Sequence, residues 1–139
     1  MNAVRLAALL ISTLGASAIT QAHHSVPVNF DTSGSNTITG TLVVVKWVNP
    51  HSQLQVEVTT ADGEKELWLI EMNAKNTINR LSKRMGFELD DFVVGEEITV
   101  QGWPGRHDRS IYFRSCKLAS GKEIVWQSRL DPDLARIQE

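Results

Sequence analysis

The segment Ser52–Thr60 alternates apolar and polar residues with a period of two, between two strong turn signals. Aliphatic residues occupy every second position from Leu54 to Val58, and glutamine or glutamate lies between them. Successive side chains of a strand point to opposite faces, so this pattern predicts a strand with one buried face and one wet face. An Asn-Pro pair precedes the segment and an Asp-Gly pair follows it, and both are typical of turns. The chain is therefore predicted to form antiparallel strands that are joined by short turns.

The other strand-like segments flank one helical segment. Strands are predicted over Thr37–Val48, Ser52–Thr60, Lys65–Met72, Glu97–Trp103, Ser110–Ala119 and a short Lys122–Gln127. Between the third and the fourth strand, Ile78, Leu81 and Met85 repeat at helical spacing, which predicts an amphipathic helix over Asn73–Met85. Asn73 is of a residue type that caps helices, and Gly86 stands where a helix end is expected.

This order of elements, three strands, one helix and then two or three strands, is that of a small barrel. The oligonucleotide/oligosaccharide-binding (OB) barrel has five strands, with its helix between the third and the fourth. The expected fold class is therefore mainly β, an OB-like barrel of five to six antiparallel strands with one helix. The barrel is assigned to residues 37–127, between an N-terminal arm at 23–36 and a C-terminal tail at 128–139. A fold of this class does not by itself determine the ligand.

The first 22 residues have the composition of a secretory signal peptide. Arg5 and the amino terminus supply positive charge, an apolar stretch follows, and small residues lead up to Ala22. Cleavage after Ala22 makes His23 the first residue, whereas a competing site after Ala18 would leave Ile19 first. Either site predicts an exported protein, periplasmic or secreted. No membrane span is expected after cleavage, because no later apolar stretch is long enough.

Charge and cysteine content limit the classes of partner. The chain has 14 Lys and Arg residues against 16 Asp and Glu residues, a formal net charge of −2 at pH 7, and loss of Arg5 with the signal makes it more negative. This balance gives no electrostatic case for nucleic acid, so no nucleic-acid partner is expected. Cys116 is the only cysteine, which excludes an internal disulfide, and its strand-like surroundings predict a buried thiol.

Histidines carry the candidate metal chemistry. If His23 is the first residue, its α-amine and its ring form one chelate ring, and a nitrogen-rich site of this kind suits Cu(II). His51 is the preferred third ligand because a turn containing proline holds it at a barrel end, whereas His24 needs the arm to fold back before it can bind the same ion. Glu71, late in the third strand, is either an oxygen ligand or an acceptor that fixes a histidine tautomer. Copper is thus the expected cofactor, with these four residues as metal ligands, and His107 is expected to face solvent.

Catalytic motifs are absent from the sequence, so no catalytic residue is assigned and an enzyme is the least supported interpretation. No GxSxG, HExxH, CxxC or glycine-rich phosphate loop occurs. The four tryptophans lie on predicted strands and suit core packing, while exposed ones would offer a stacking platform. The interpretation that competes with copper binding is therefore a metal-free module. It would bind a ligand or an envelope protein through the barrel face or through the Asn49-Pro50-His51 end.

Several of these segments together resemble a family of small exported bacterial proteins. They are Ala22-His23-His24-Ser25, Gly40-Thr41-Leu42, Trp47-Val48-Asn49-Pro50-His51, Trp68 with Glu71, and Gly95–Gly102. The family is catalogued as domain of unknown function 6152, and the resemblance extends from His23 to Ile124. The chain departs from the family at Glu96, where a glycine-aspartate pair is commoner. The resemblance implies a Gram-negative envelope protein with a small β-barrel and implies no activity, so the metal prediction rests on the histidines alone.

Overall fold

The computed structural model describes residues 26–126. Its elements are the helical turn α1 (Val26–Asn29), strands β1 (Asn36–Lys46), β2 (Gln53–Thr59) and β3 (Lys65–Glu71), helix α2 (Lys75–Ser82), a 3-10 turn (Leu89–Asp91), and strands β4 (Glu97–Pro104), β5 (Ser110–Lys117) and β6 (Glu123–Val125). The predicted OB-like barrel, with its helix between the third and the fourth strand, is confirmed. The predicted signal peptide and C-terminal tail lie outside the described residues.

The sheet closes on itself through a pairing that the alternation pattern does not predict. The strand order is β3-β2-β1-β4-β5-β6, and these neighbours are antiparallel. In addition β3 pairs with β5 in parallel, from Leu69 opposite Ser110 to Glu71 opposite Tyr112. Both strands run in the direction of β1, so the pairing that closes the barrel is necessarily parallel. The expectation of antiparallel pairing throughout is corrected at this one seam.

The barrel interior is filled by the inward residues of the alternating strands. Leu54 and Val56 of β2 and Val100 of β4 are fully buried, as the period of two predicts. Gly102 also faces inward, where a Cβ atom would lie 2.0 Å from the carbonyl oxygen of Tyr112. A glycine is required there because two strand backbones approach closely.

Helix α2 covers one end of the barrel. Ile78 is fully buried in the core, and Leu81 and Met85 are half-buried against it, as their spacing predicts. The helix is shorter than expected: it begins after Ala74, because the carbonyl of Asn73 accepts the Ser52 N–H at 3.1 Å and Asn73 does not serve as the cap.

The chain leaves helix α2 through a Schellman turn. Gly86 has a φ of 79°. The Phe87 N–H donates to Ser82 at 3.0 Å, and the Gly86 N–H donates to Lys83 at 3.3 Å. Both hydrogen bonds satisfy carbonyls at the helix end, which explains the glycine at this position.

The N-terminal arm is packed on the barrel from Val26 onward, although its sequence shows no periodicity. Phe30 is 3% exposed, its ring centroid lies 5.4 Å from that of Tyr112, and its backbone forms a β-bridge with Gly105. One buried aromatic side chain therefore joins a polar segment to the folded domain. Within residues 26–126, neither helix has the length and apolar character of a membrane-spanning segment.

Candidate functional site

The loop between β1 and β2 holds His51 at one end of the barrel, and Ser52 fixes this loop. The Ser52 side chain is fully buried. Its hydroxyl donates to the Val48 carbonyl at 3.1 Å and accepts the Val48 N–H at 3.2 Å, while its own carbonyl accepts the Met72 N–H at 2.8 Å. The intervening Asn49–Pro50 peptide bond is cis. Sequence analysis missed Ser52, since a serine at the start of a strand has no distinguishing signal.

His51 and Glu71 are the two predicted site residues that the structure brings together. The Nδ1 atom of His51 lies 3.0 Å from Oε1 of Glu71. The Nδ1 atom is buried and makes no hydrogen bond. The side chain of His51 is nevertheless 39% exposed, so its exposure belongs to the rest of the ring, which carries Nε2. His51 thus presents Nδ1 to a carboxylate, and its exposure lies on the other atoms of the side chain.

A cavity of about 390 Å³ opens beside this pair. Its wall includes Pro50 and His51 from the loop, Gln53 from β2, Glu71 from β3 and Asn29 from the end of α1. The N-terminal arm therefore reaches the same cavity as the candidate ligands, which the sequence did not predict.

A second cavity of about 260 Å³ also borders Glu71. Its wall shares Asn29 and Glu71 with the first cavity and adds His107 and Asp108 from the loop between β4 and β5 and Ser110 at the start of β5. The hydroxyl of Ser110 donates to the Asp108 carboxylate. His107 is exposed, as expected, but it faces a cavity that it shares with Glu71.

A complete metal site is not formed by the described residues alone. Within residues 26–126 there is no group of three or more His, Cys, Asp or Glu side chains placed to hold one ion. His23 and His24 lie outside the described residues, three and two positions before Val26. His51 and Glu71 are therefore not joined by a third such side chain among the described residues.

Tyr112 lies opposite Glu71 where β3 pairs with β5. Tyr112 is buried, and burial raises the pKa of its phenol, which the Glu71 carboxylate raises further. The ring of Trp103 stacks on Tyr112 with centroids 5.7 Å apart, and the Arg114 guanidinium lies 4.5 Å from the Trp103 centroid. Trp103 is thus engaged by two neighbours and offers no free stacking platform.

The remaining predicted roles of aromatic and sulfur residues are structural. Trp126 is buried, and Trp47 packs edge-to-face on Phe92 with centroids 5.4 Å apart. Cys116 is a free, buried thiol, as predicted, and burial raises its pKa to about 12. A thiol with this pKa stays protonated at neutral pH and is a poor metal ligand.

Comparison of the sequence with known families supports the resemblance stated above. The model described as "Family of unknown function (DUF6152)" matches residues 10–112. The chain belongs to this family. The matched region of this DUF6152 member includes α1, the His51 loop, Glu71 and the β4–β5 loop. No curated protein matches the chain significantly.

Solved structures with a similar fold are OB barrels of very different sequence. The N-terminal domain of PriB from Thermoanaerobacter tencongensis is 16% identical, with a TM-score of 0.44, and the match covers 63% of this chain and 97% of that one. The mitochondrial single-stranded DNA-binding protein Rim1 from S. cerevisiae is 14% identical, with a TM-score of 0.45, and the match covers 62% and 93%.

The expectation that nucleic acid is not a partner is corrected by this finding. One of the similar structures is a single-stranded DNA-binding protein. The expectation rested on net charge, and net charge does not exclude nucleic acid for a barrel of this kind, because OB barrels also bind bases by aromatic stacking. The likeness itself concerns the fold alone.

Proposed function

We propose that this DUF6152 protein is an exported β-barrel module that binds Cu(II) at the end of the barrel formed by the His51 loop and Glu71. The α-amine and the ring of His23 supply two nitrogens, and His51 supplies the third. The observation that carries the proposal is the His51 ring, whose Nδ1 is buried 3.0 Å from Glu71 without a hydrogen bond while its other edge is exposed.

The orientation of the His51 ring assigns different roles to its two nitrogens. A metal ion that arrives from the arm has access to Nε2 on the exposed edge and not to the buried Nδ1. Glu71, next to Nδ1, then acts as the acceptor that holds the ring and its tautomer, as carboxylates do behind many metal-bound histidines. Of the two roles predicted for Glu71, the 3.0 Å distance from its Oε1 to Nδ1 favours the acceptor, with the hydrogen bond itself formed only when the metal fixes the ring. His24 remains available as a further nitrogen donor where the arm folds back.

The position of α1 supports the delivery of His23 to this site. Asn29 lines the cavity that also contains His51 and Glu71, and His23 precedes it by six residues. Val26–Asn29 are helical in α1 and rise only about 1.5 Å each, so the three residues before them can add at most about 10 Å. The proposal needs only this short segment to return from α1 to the cavity that Asn29 lines.

The competing function is metal-free binding of an apolar or protein ligand at the same end. It is favoured by Val48, an aliphatic side chain that lines the first cavity and is 45% exposed. Copper binding and this alternative predict different results with Glu71→Gln, because only a metal-bound imidazole needs a charged acceptor behind it.

The experiment begins with the intact mass of the exported protein. A mass that corresponds to a first residue at His23 is expected, and a start at Ile19 would remove the α-amine from the site and contradict the proposal. The Cu(II) electron paramagnetic resonance (EPR) spectrum of the processed protein is then expected to show coupling to three nitrogens. His51→Ala should lose one of them, and Glu71→Gln should weaken binding at least about tenfold.

A further inference from the structure

We propose that Arg106, in the loop between β4 and β5, is the positioning residue that holds the N-terminal segment over the His51–Glu71 pair. The inference rests on the proposed copper site and adds the residue that sets the position of its amino-terminal half. Arg106 itself lines neither cavity, and sequence patterns do not distinguish it from the other exposed arginines.

Arg106 makes contacts with three residues of the arm. Its backbone N–H donates to the Asn29 carbonyl at 2.9 Å. Its Nε donates to the Pro27 carbonyl at 3.2 Å. Its Nη2 lies 3.8 Å from the Asp31 carboxylate. These contacts extend from Pro27 to Asp31. The buried residue Phe30 lies between Asn29 and Asp31, and Arg106 contacts both of them.

The turn α1 depends on such contacts because it is too short to be stable alone. A helix of four residues contains hardly any internal hydrogen bonding, and its carbonyls need partners from elsewhere. The Phe30 N–H pairs with Val26 at 2.9 Å, and of the other carbonyls Arg106 binds two: that of Pro27 through its side chain and that of Asn29 through its backbone N–H. The Arg106 side chain therefore binds the start of α1 at Pro27, and its backbone binds Asn29, which lies in the wall of the first cavity.

Asp31 is held in its ionised form, which strengthens its contact with the Arg106 guanidinium. Hydrogen bonds from the Ser33 hydroxyl and N–H lower the pKa of the Asp31 carboxyl, and the Arg106 guanidinium lowers it further. The Asp31 N–H also donates to the Pro104 carbonyl at 2.9 Å, directly before the Gly105 bridge. The arm is thus attached to the β4–β5 loop on both sides of Phe30, and Arg106 is the only side chain of that loop seen to bind the arm among the described residues.

Arg109 provides a matched control on the same loop. Its Nη2 lies 3.0 Å from Glu66, so it also makes one carboxylate contact. Its side chain is 61% exposed, against 42% for Arg106, and its pairing lies with β3 and not with the arm. Arg106→Ala and Arg109→Ala therefore remove the same charge from one exposed loop, but only the first removes the side-chain contacts to Pro27 and Asp31 that hold α1.

The test compares four variants of the processed protein: Arg106→Ala, Arg106→Lys, Arg109→Ala and His51→Ala. If α1 is released, the binding-competent arrangement is populated less often, and the apparent affinity for Cu(II) falls in proportion. Arg106→Ala is expected to weaken Cu(II) binding about tenfold, while the EPR spectrum of its copper-bound form keeps the coupling to three nitrogens that His51→Ala loses. Arg106→Lys should recover part of the affinity, and Arg109→Ala should bind as the parent protein does.

Hydrogen exchange in the absence of copper separates this inference from the proposed function. The Phe30 amide should exchange at least about tenfold faster in Arg106→Ala than in Arg109→Ala, while core amides of β2 exchange at the parent rate. A parent-like affinity and Phe30 exchange rate in Arg106→Ala would overturn the inference, even if His51→Ala loses copper. If Phe30 exchanges faster in Arg106→Ala but His51→Ala does not affect copper binding, the proposed function is contradicted, whereas the role of Arg106 in holding α1 is supported.

Discussion

The contrast between Ile78 and Leu81 makes the role of helix α2 measurable. Both residues lie on the stripe that faces the barrel, but Ile78 is fully buried and Leu81 is half-buried. Replacement by alanine removes three carbon atoms in each case. A buried isoleucine that is truncated to alanine costs about 2–5 kcal/mol, because transfer free energy is lost and a cavity remains. We expect about 3 kcal/mol for Ile78→Ala and about half of that for Leu81→Ala.

Urea unfolding checks these values. The midpoint should shift while the slope of the unfolding free energy stays constant, since the surface that unfolding exposes hardly changes. For a domain of this size, about 3 kcal/mol also lowers the melting temperature by at least about 12 °C. Equal losses for the two variants, or a loss below about 1 kcal/mol for Ile78→Ala, would show that the helix does not close the barrel. Leu81→Asp should be milder than Ile78→Asp, because a carboxylate at the half-buried position reaches water.

Two further predictions test the interior of the barrel. Gly102→Ala should destabilise the domain by at least about 3 kcal/mol in urea, because its Cβ would overlap the Tyr112 carbonyl. Gly86→Ala, whose Cβ meets no atom within 4 Å but whose φ is 79°, should cost only about 1 kcal/mol, and a reversed order would refute the argument from close strand approach. At pH 8 the Cys116 thiol, with a pKa of about 12, should react with iodoacetamide roughly a thousandfold more slowly in the native protein than in urea. Similar rates in both states would mean that β5 opens readily.

Local patterns predicted the parts of the fold that depend on neighbouring residues. The alternation in β2 and the helical spacing of Ile78 report which face of an element is buried, and the structure agrees. The parallel pairing of Leu69 with Ser110 joins residues that are far apart in sequence, and no local pattern encodes it. The short start of α2 was also missed, because Asn73 is bound by the His51 loop through Ser52, a tertiary contact that overrides its preference for a capping position.

The candidate site was also predictable only in part, because local sequence patterns mark single residues and not the tertiary contacts between them. His51 and Glu71 were marked by their chemistry and by their places at a turn and at a strand end. The position of Asn29 and the contacts of Arg106 were not predictable, because the arm is held by Phe30 and by backbone carbonyls, and neither has a signature in composition. His107 was correctly placed at the surface, but its proximity to Glu71 follows from how the β4–β5 loop folds over β3.

The most direct test of the copper site is a calorimetric titration of Cu(II) into four processed proteins. They are the parent protein, His51→Ala, His107→Ala and a variant with one extra residue before His23. We predict one Cu(II) per parent chain, a loss of at least about tenfold for His51→Ala, and little change for His107→Ala. The added residue should weaken binding nearly as much as His51→Ala, because it displaces the α-amine while every side chain remains. Equal affinities across the four proteins would mean that copper binds surface histidines without a defined site, and would contradict the account.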